Sequence, residues 1–112
     1  MTAYNKLVRD RIPKIIENSK LIAVTRRLDT REYVQALKSK LLEEATELVQ
    51  ASTKLETTAE AADIIEVLEA LCRAQGIQMS DVAAMQEEKR AQRGGFDCRV
   101  YLIETKPSDE QP

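Results

Sequence analysis

The chain has 112 residues, 43% hydrophobic and 32% charged, and its 17 Lys and Arg against 19 Asp and Glu leave a net charge of −2. That length gives one domain with a small core, and that charge exerts no global pull toward nucleic acid or an anionic membrane. Histidine is absent, which excludes His general bases, Ser–His and Cys–His nucleophiles and the commonest zinc ligand.

The opening MTAYNKLVRDR carries no apolar signal-peptide run, and no later segment is apolar enough to span a membrane, so the cytoplasm is the expected compartment. YNKLVRDRIPKIIEN, residues 4–18, begins basic and becomes amphipathic; Pro13 suits the first turn of a short helix. Residues 22–28, IAVTRRL, lean toward an extended segment through Val24 and Thr25. Asp29 followed by Glu32 has capping-box spacing, which predicts a long helix from near Thr30 to about residue 52.

TKLET, residues 53–57, reads as a short polar linker, and a second long helix is expected from Thr58 to Ala74 with Gly76 as its stop. Ser80 is placed to cap a third helix, DVAAMQEEKRAQR, ended by Gly94 and Gly95. CRVYLIE, residues 98–104, has high β propensity and is expected to pair with residues 22–28 in a small two-stranded sheet. The tail TKPSDEQP, residues 105–112, reads as disordered, leaving residues 1–104 as a single domain. Only four aromatics occur (Tyr4, Tyr33, Phe96, Tyr101), so the core must come from Leu, Ile, Val and Ala. Cys72 and Cys98 show no metal-ligand spacing; Cys72 lies among apolar neighbours and reads as a core residue.

The two long helices carry carboxylates at awkward spacings. Glu43 and Glu47 are four apart, Glu44 and Glu47 three apart, and Glu60 and Asp63 three apart. Each such like-charge pair destabilises an isolated helix by about 0.2–0.5 kcal/mol. At about 100° per residue, Glu60 falls between Val67 and Leu71, inside the apolar arc formed by Ala61, Ile64, Ile65, Val67, Leu68, Leu71 and Cys72, with Asp63 at its border. An unpartnered carboxylate there costs several kcal/mol or takes up a proton. On the first helix, Leu41, Leu42, Ala45, Leu48 and Val49 make the apolar face, with Glu44 at its edge and Glu43 and Glu47 further round. Taken alone, LLEEATEL is an ordinary amphipathic helix with an acidic outer side.

A short linker makes the helices antiparallel neighbours. About a turn centred on Thr53 and Lys54, Glu44 stands level with Asp63 and Glu47 with Glu60, so both acidic pairs converge on one volume. Carboxylates so gathered need a cation. Oxygen ligands without His or Cys select Mg²⁺, Mn²⁺ or Ca²⁺, and Mg²⁺ commonly completes its shell with substrate phosphates. The alternatives are a purely structural ion or neutralisation by Lys and Arg.

The pattern E-E-x-x-E from Glu43 to Glu47, followed by E-x-x-D from Glu60 to Asp63, resembles the signature of the all-α nucleoside triphosphate pyrophosphohydrolases. That superfamily includes MazG-like enzymes, dimeric dUTPases and phosphoribosyl-ATP pyrophosphohydrolase. With YNKLVRDRIPKII (4–16), KLLEEATEL (40–48), EAADIIEVLEAL (60–71) and KRAQRGGF (89–96) in order, the chain most resembles the small phosphoribosyl-ATP pyrophosphohydrolase-like members of the MazG-like group, over nearly all of residues 4–104.

The resemblance implies an all-α helical bundle completed as a homodimer or homotetramer. It also implies Mg²⁺-dependent cleavage between the α and β phosphates of a nucleotide, with Mn²⁺ as a substitute ion, releasing a monophosphate and pyrophosphate. By that analogy Glu44, Glu47, Glu60 and Asp63 hold the metal, and Glu43 is an outer partner or orients the attacking water. Without histidine, proton removal falls to a carboxylate or to metal-held water. The leaving pyrophosphate needs cations. Among the clusters Lys6, Arg9, Arg11 and Lys89, Arg90, Arg93, the chosen phosphate contacts are Arg9, Arg11, Lys89 and Arg93, whose competing reading is a solvated basic surface.

Clearance of non-standard or excess nucleoside triphosphates ranks first. Phosphoribosyl-ATP hydrolysis in histidine biosynthesis ranks second, and a non-catalytic helical oligomerisation or nucleotide-binding module third. Nucleic-acid binding is not expected, because the basic clusters are small and lack interleaved aromatics.

Overall fold

The computed structural model describes residues 1–109; the end of the expected tail, residues 110–112, lies outside them. Four helices follow in order: α1 (Ile12–Asn18), α2 (Thr30–Gln50), α3 (Lys54–Ala74) and α4 (Met79–Arg93). The chain divides into two compact units, Met1–Met79 and a second beginning at Ser80.

In the first unit, α1 is short and carries Pro13 in its first turn, as the sequence predicts. The α2 start is also as predicted. The Glu32 amide donates to Asp29 Oδ1 at 2.8 Å, and the Asp29 amide donates to Glu32 Oε1 at 3.3 Å, closing a capping box. Arg26 donates to both oxygens of Glu32, at 3.2 and 2.9 Å, and so ties residues 22–28 to the first turn of α2.

The expected sheet is absent: no strand occurs among the described residues. Ile22 and Val24 are 87% and 94% exposed. β propensity is a preference for a pleated, half-buried surface, and no such surface lies under this segment.

The linker is shorter than expected. Thr53 and Glu56 make a second capping box, with the Glu56 amide donating to Thr53 Oγ1 and the Thr53 amide to Glu56 Oε1, both at 3.1 Å. α3 therefore begins at Lys54, and most of TKLET is its first turn. At the far end, the Ile77 amide donates to the Cys72 carbonyl at 2.8 Å and the Gly76 amide to the Arg73 carbonyl at 3.1 Å. This Schellman stop needs the left-handed residue that Gly76 supplies at φ +72°.

α2 and α3 pack extensively on each other. Leu37, Val67 and Cys72 are buried between them or beside them, with Leu41, Ala45, Leu48, Ile64, Leu68 and Leu71 half-buried. Leu42, Val49 and Ile65, counted on the apolar faces from periodicity, are exposed at 72%, 84% and 55%. A single neighbouring helix covers only a narrow strip of a broad apolar arc.

In the second unit, α4 begins one residue ahead of Ser80, which therefore lies in the first turn rather than at the cap. It ends where the Gly94 amide, at φ +80°, donates to the Arg90 carbonyl at 2.8 Å. Residues 98–104 and 105–109 are irregular and exposed. Both cysteines are free, Cys72 buried and Cys98 exposed. No helix among the described residues is long and apolar enough to cross a membrane.

Candidate metal centre

The α2–α3 interface buries a carboxylate as fully as its apolar residues. Glu44 is 6% exposed, beside Leu37 at 3% and Val67 at 8%. The wheel singled out Glu60 as the buried acid; Glu60 is half-buried and Glu44 takes the deeper position. The early start of α3 accounts for the difference. With α2 ending at Gln50 and α3 starting at Lys54, the turn is centred on Ser52 rather than between Thr53 and Lys54, and Glu60 meets Glu44 as well as Glu47.

Glu44, Glu47 and Glu60 each present an oxygen within 4.8 Å of the other two. That spread is near twice the ~2.1–2.6 Å bond that a hard divalent cation makes to oxygen. Glu44 Oε2 and Glu60 Oε2 are both buried with no hydrogen-bond partner. An orphaned buried acceptor costs about 1–3 kcal/mol, and two of them on members of one acidic cluster suit an oxygen-seeking cation.

The electrostatics agree. Burial pushes the Glu44 carboxyl up to about 7, aided by the close approach of the Glu60 carboxyl, the charge of Glu47 and that of Asp63. For Glu60, the neighbouring Glu44 carboxyl pulls downward, but burial, the approach of Glu47 and the charges of Glu47 and Asp63 outweigh it and raise the carboxyl. The metal-free cluster thus holds a proton where a cation would otherwise balance the charge.

Asp63 stands apart from the three. Arg9 Nη2 donates to Asp63 Oδ1 at 2.6 Å, so the fourth expected ligand is engaged by one of the expected phosphate contacts. Its charge is still felt at Glu44 and Glu60. Glu43 lies on the flank, 3.7 Å from Lys40 Nζ, which is also 3.7 Å from Glu44 Oε1. Lys40 was missed from sequence, although K-L-L-E-E places it three and four residues before these acids. Two cations therefore touch the acidic group: Lys40 reaches Glu44 as well as Glu43, and Arg9 reaches Asp63.

Arg11 precedes α1 as its N-cap and is exposed. Lys89 and Arg93 are exposed on α4, four residues apart and so on one face of it.

No curated protein and no solved structure matches the chain. The family model of phosphoribosyl-ATP pyrophosphohydrolase, a branch of the MazG-like superfamily whose members hydrolyse phosphoanhydrides, matches residues 2–90. With four helices and no strand among the described residues, and three of the signature acids (Glu44, Glu47 and Glu60) drawn together by α2 and α3, the chain belongs to the phosphoribosyl-ATP pyrophosphohydrolase family.

Proposed function

We propose that this pyrophosphohydrolase cleaves the α–β phosphoanhydride of a nucleotide with Mg²⁺, giving a monophosphate and pyrophosphate. The observation that carries this reading is the convergence of Glu44, Glu47 and Glu60 with two buried, unpartnered oxygens among them. These three residues would hold the ion, with Asp63 joining them if it leaves Arg9. A bound divalent ion neutralises phosphate oxygens and makes water a better nucleophile at neutral pH.

The chain's own groups supply the rest. The water oxygen bonds to phosphorus, the bridging P–O bond breaks, and its electron pair leaves with pyrophosphate. Glu43, half-buried on the flank and held near Lys40, orients the water or accepts its proton. Arg9, Arg11, Lys89 and Arg93 are the proposed partners of phosphate oxygens, where positive charge stabilises the leaving group. The exposed Leu42, Val49 and Ile65 on α2 and α3 support completion of the bundle by a second copy, as a homodimer or homotetramer.

Two substrates suit this site. General nucleoside triphosphates fit a clearing role. Phosphoribosyl-ATP, ranked second from sequence, stands at least level with them, because the matching family model is that of the phosphoribosyl-ATP enzyme. Incubation with Mg²⁺ and a panel of nucleoside triphosphates plus phosphoribosyl-ATP, with pyrophosphate as readout, separates them. Turnover confined to phosphoribosyl-ATP selects the biosynthetic role, broad turnover selects the clearing role, and a silent panel defeats both.

A further inference from the structure

Next to the carboxylates, at the turn end of the α2–α3 hairpin, lies an open cleft of about 430 Å³. Glu47 and Glu60 form one side of it, so the cleft and the acidic cluster share a wall. The other lining residues are Gln50 and Ala51 from the end of α2 and Leu55, Glu56 and Ala59 from the first turns of α3. Its volume falls in the ~300–1,000 Å³ range of small-molecule sites.

Every charged side chain in this lining is an acid, and no Lys or Arg contributes. With no cation of its own, this lining has nothing to hold a polyphosphate by charge. What the surface offers is an apolar patch (Ala51, Leu55, Ala59), an amide that both donates and accepts (Gln50) and a fixed acceptor (Glu56). Glu56 is fixed because its Oε1 takes hydrogen bonds from the amides and hydroxyls of Ser52 and Thr53, at 3.1–3.2 Å. Those bonds, from Ser52 first, hold its carboxyl below the usual range, so it stays ionised. Leu55 is 80% exposed, with no packing role of its own.

Resting on the pyrophosphohydrolase reading above, we infer that this cleft receives the nucleoside end of the substrate, with Leu55 against the flat apolar face of the base and Gln50 and Glu56 reading its N–H and O–H groups. The phosphates then extend away from the cleft, past Glu47 and Glu60, toward the ion. Gln50 and Leu55 are specificity-determining residues, and neither is needed to hold metal.

The test compares Gln50→Ala and Leu55→Ser, two changes at exposed positions, with the wild-type chain. KM and kcat are measured on each nucleotide that the wild type cleaves, alongside inhibition by inorganic tripolyphosphate, which has no nucleoside. The expected result is a KM raised about three- to tenfold with kcat nearly kept, an altered preference among bases in Gln50→Ala, and unchanged tripolyphosphate inhibition. Unchanged KM and preference in both variants overturn the inference while leaving the pyrophosphohydrolase reading intact. Equal weakening toward nucleotide and tripolyphosphate also overturns it, since the cleft would then hold phosphate. Should the wild type cleave nothing, the activity reading falls, and calorimetry of Mg²⁺–ATP binding decides the cleft. Weaker binding by Leu55→Ser upholds it; equal binding, or none by the wild type, overturns it.

Discussion

Along α2 and α3, Leu, Ile and Val recur at helical spacing and meet across an interface, whereas Val100, Tyr101, Leu102 and Ile103 stand in an unbroken apolar run and are 75% to 88% exposed. The hairpin spends part of its scarce buried space on Glu44, and the C-terminal run buries nothing comparable. Apolar content therefore does not decide what is covered in this chain; an opposing face does. A carboxylate held in that interface costs stability where it sits unless something balances its charge.

The largest effect should come from breaking the acidic side of that interface. Glu47→Ala and Glu60→Gln each lower kcat by roughly a hundred- to a thousandfold, while circular dichroism keeps its helical signal. Because each removes a like charge from a crowded cluster, the metal-free melting temperature stays level or rises. A fall in kcat matched by loss of helix would assign these residues to folding instead.

Glu44 allows a sharper comparison through pH. Its carboxyl titrates near 7 in the fold and in the ordinary carboxylate range when unfolded. The folded state therefore holds the proton better, so the stabilisation is present at low pH and is lost as pH rises from about 4.5 through 7. Metal-free protein should melt higher at pH 5 than at pH 8, and Mg²⁺ should close the gap at pH 8. Glu44→Gln should remove this part of the slope and gain about 1–2 kcal/mol at pH 8, with activity lost. Denaturant melts at the two pH values check it; an unchanged slope in Glu44→Gln would rule Glu44 out as its source.

Much of this was legible because local chemistry fixed it. The Asp29–Glu32 box, the proline of α1 and the Gly76 stop are short-range patterns whose hydrogen bonds close within a few residues. The acids could be named from spacing, but their depth could not. One overlooked capping box, Thr53 with Glu56, moved the start of α3 and with it the register, so that Glu44 faces Glu60 and Asp63 turns to Arg9. Pairing across helices depends on where the turn closes, and hydrophobic periodicity carries no record of that. The sheet expected from residues 22–28 and 98–104 failed for a related reason, since β propensity names residues that suit a sheet without supplying the surface they need.

Arg9 offers a smaller effect with two signs. Its pairing with Asp63 joins half-exposed side chains, 58% and 37%, so Arg9→Ala should cost no more than about 1 kcal/mol of stability. The same change frees a carboxylate whose charge is felt at Glu44 and Glu60. Mn²⁺ should then bind a few-fold more tightly by calorimetry, while KM for nucleotide rises through loss of a phosphate partner. Unchanged Mn²⁺ affinity would show that Asp63 has no share in the ion.

The smallest effect belongs to the C-terminal run. Leu102 is 75% exposed, so Leu102→Ser should change stability by less than about 0.5 kcal/mol, against about 2–5 kcal/mol for Leu37→Ala in the interface. Urea midpoints taken at several protein concentrations test this. If Leu102→Ser costs as much as a core substitution, and the loss grows as the wild-type midpoint rises with concentration, another copy of the chain covers the run. The opposing face that residues 98–104 lack would then be supplied by association, and the contrast with the hairpin would become one between intramolecular and intermolecular burial.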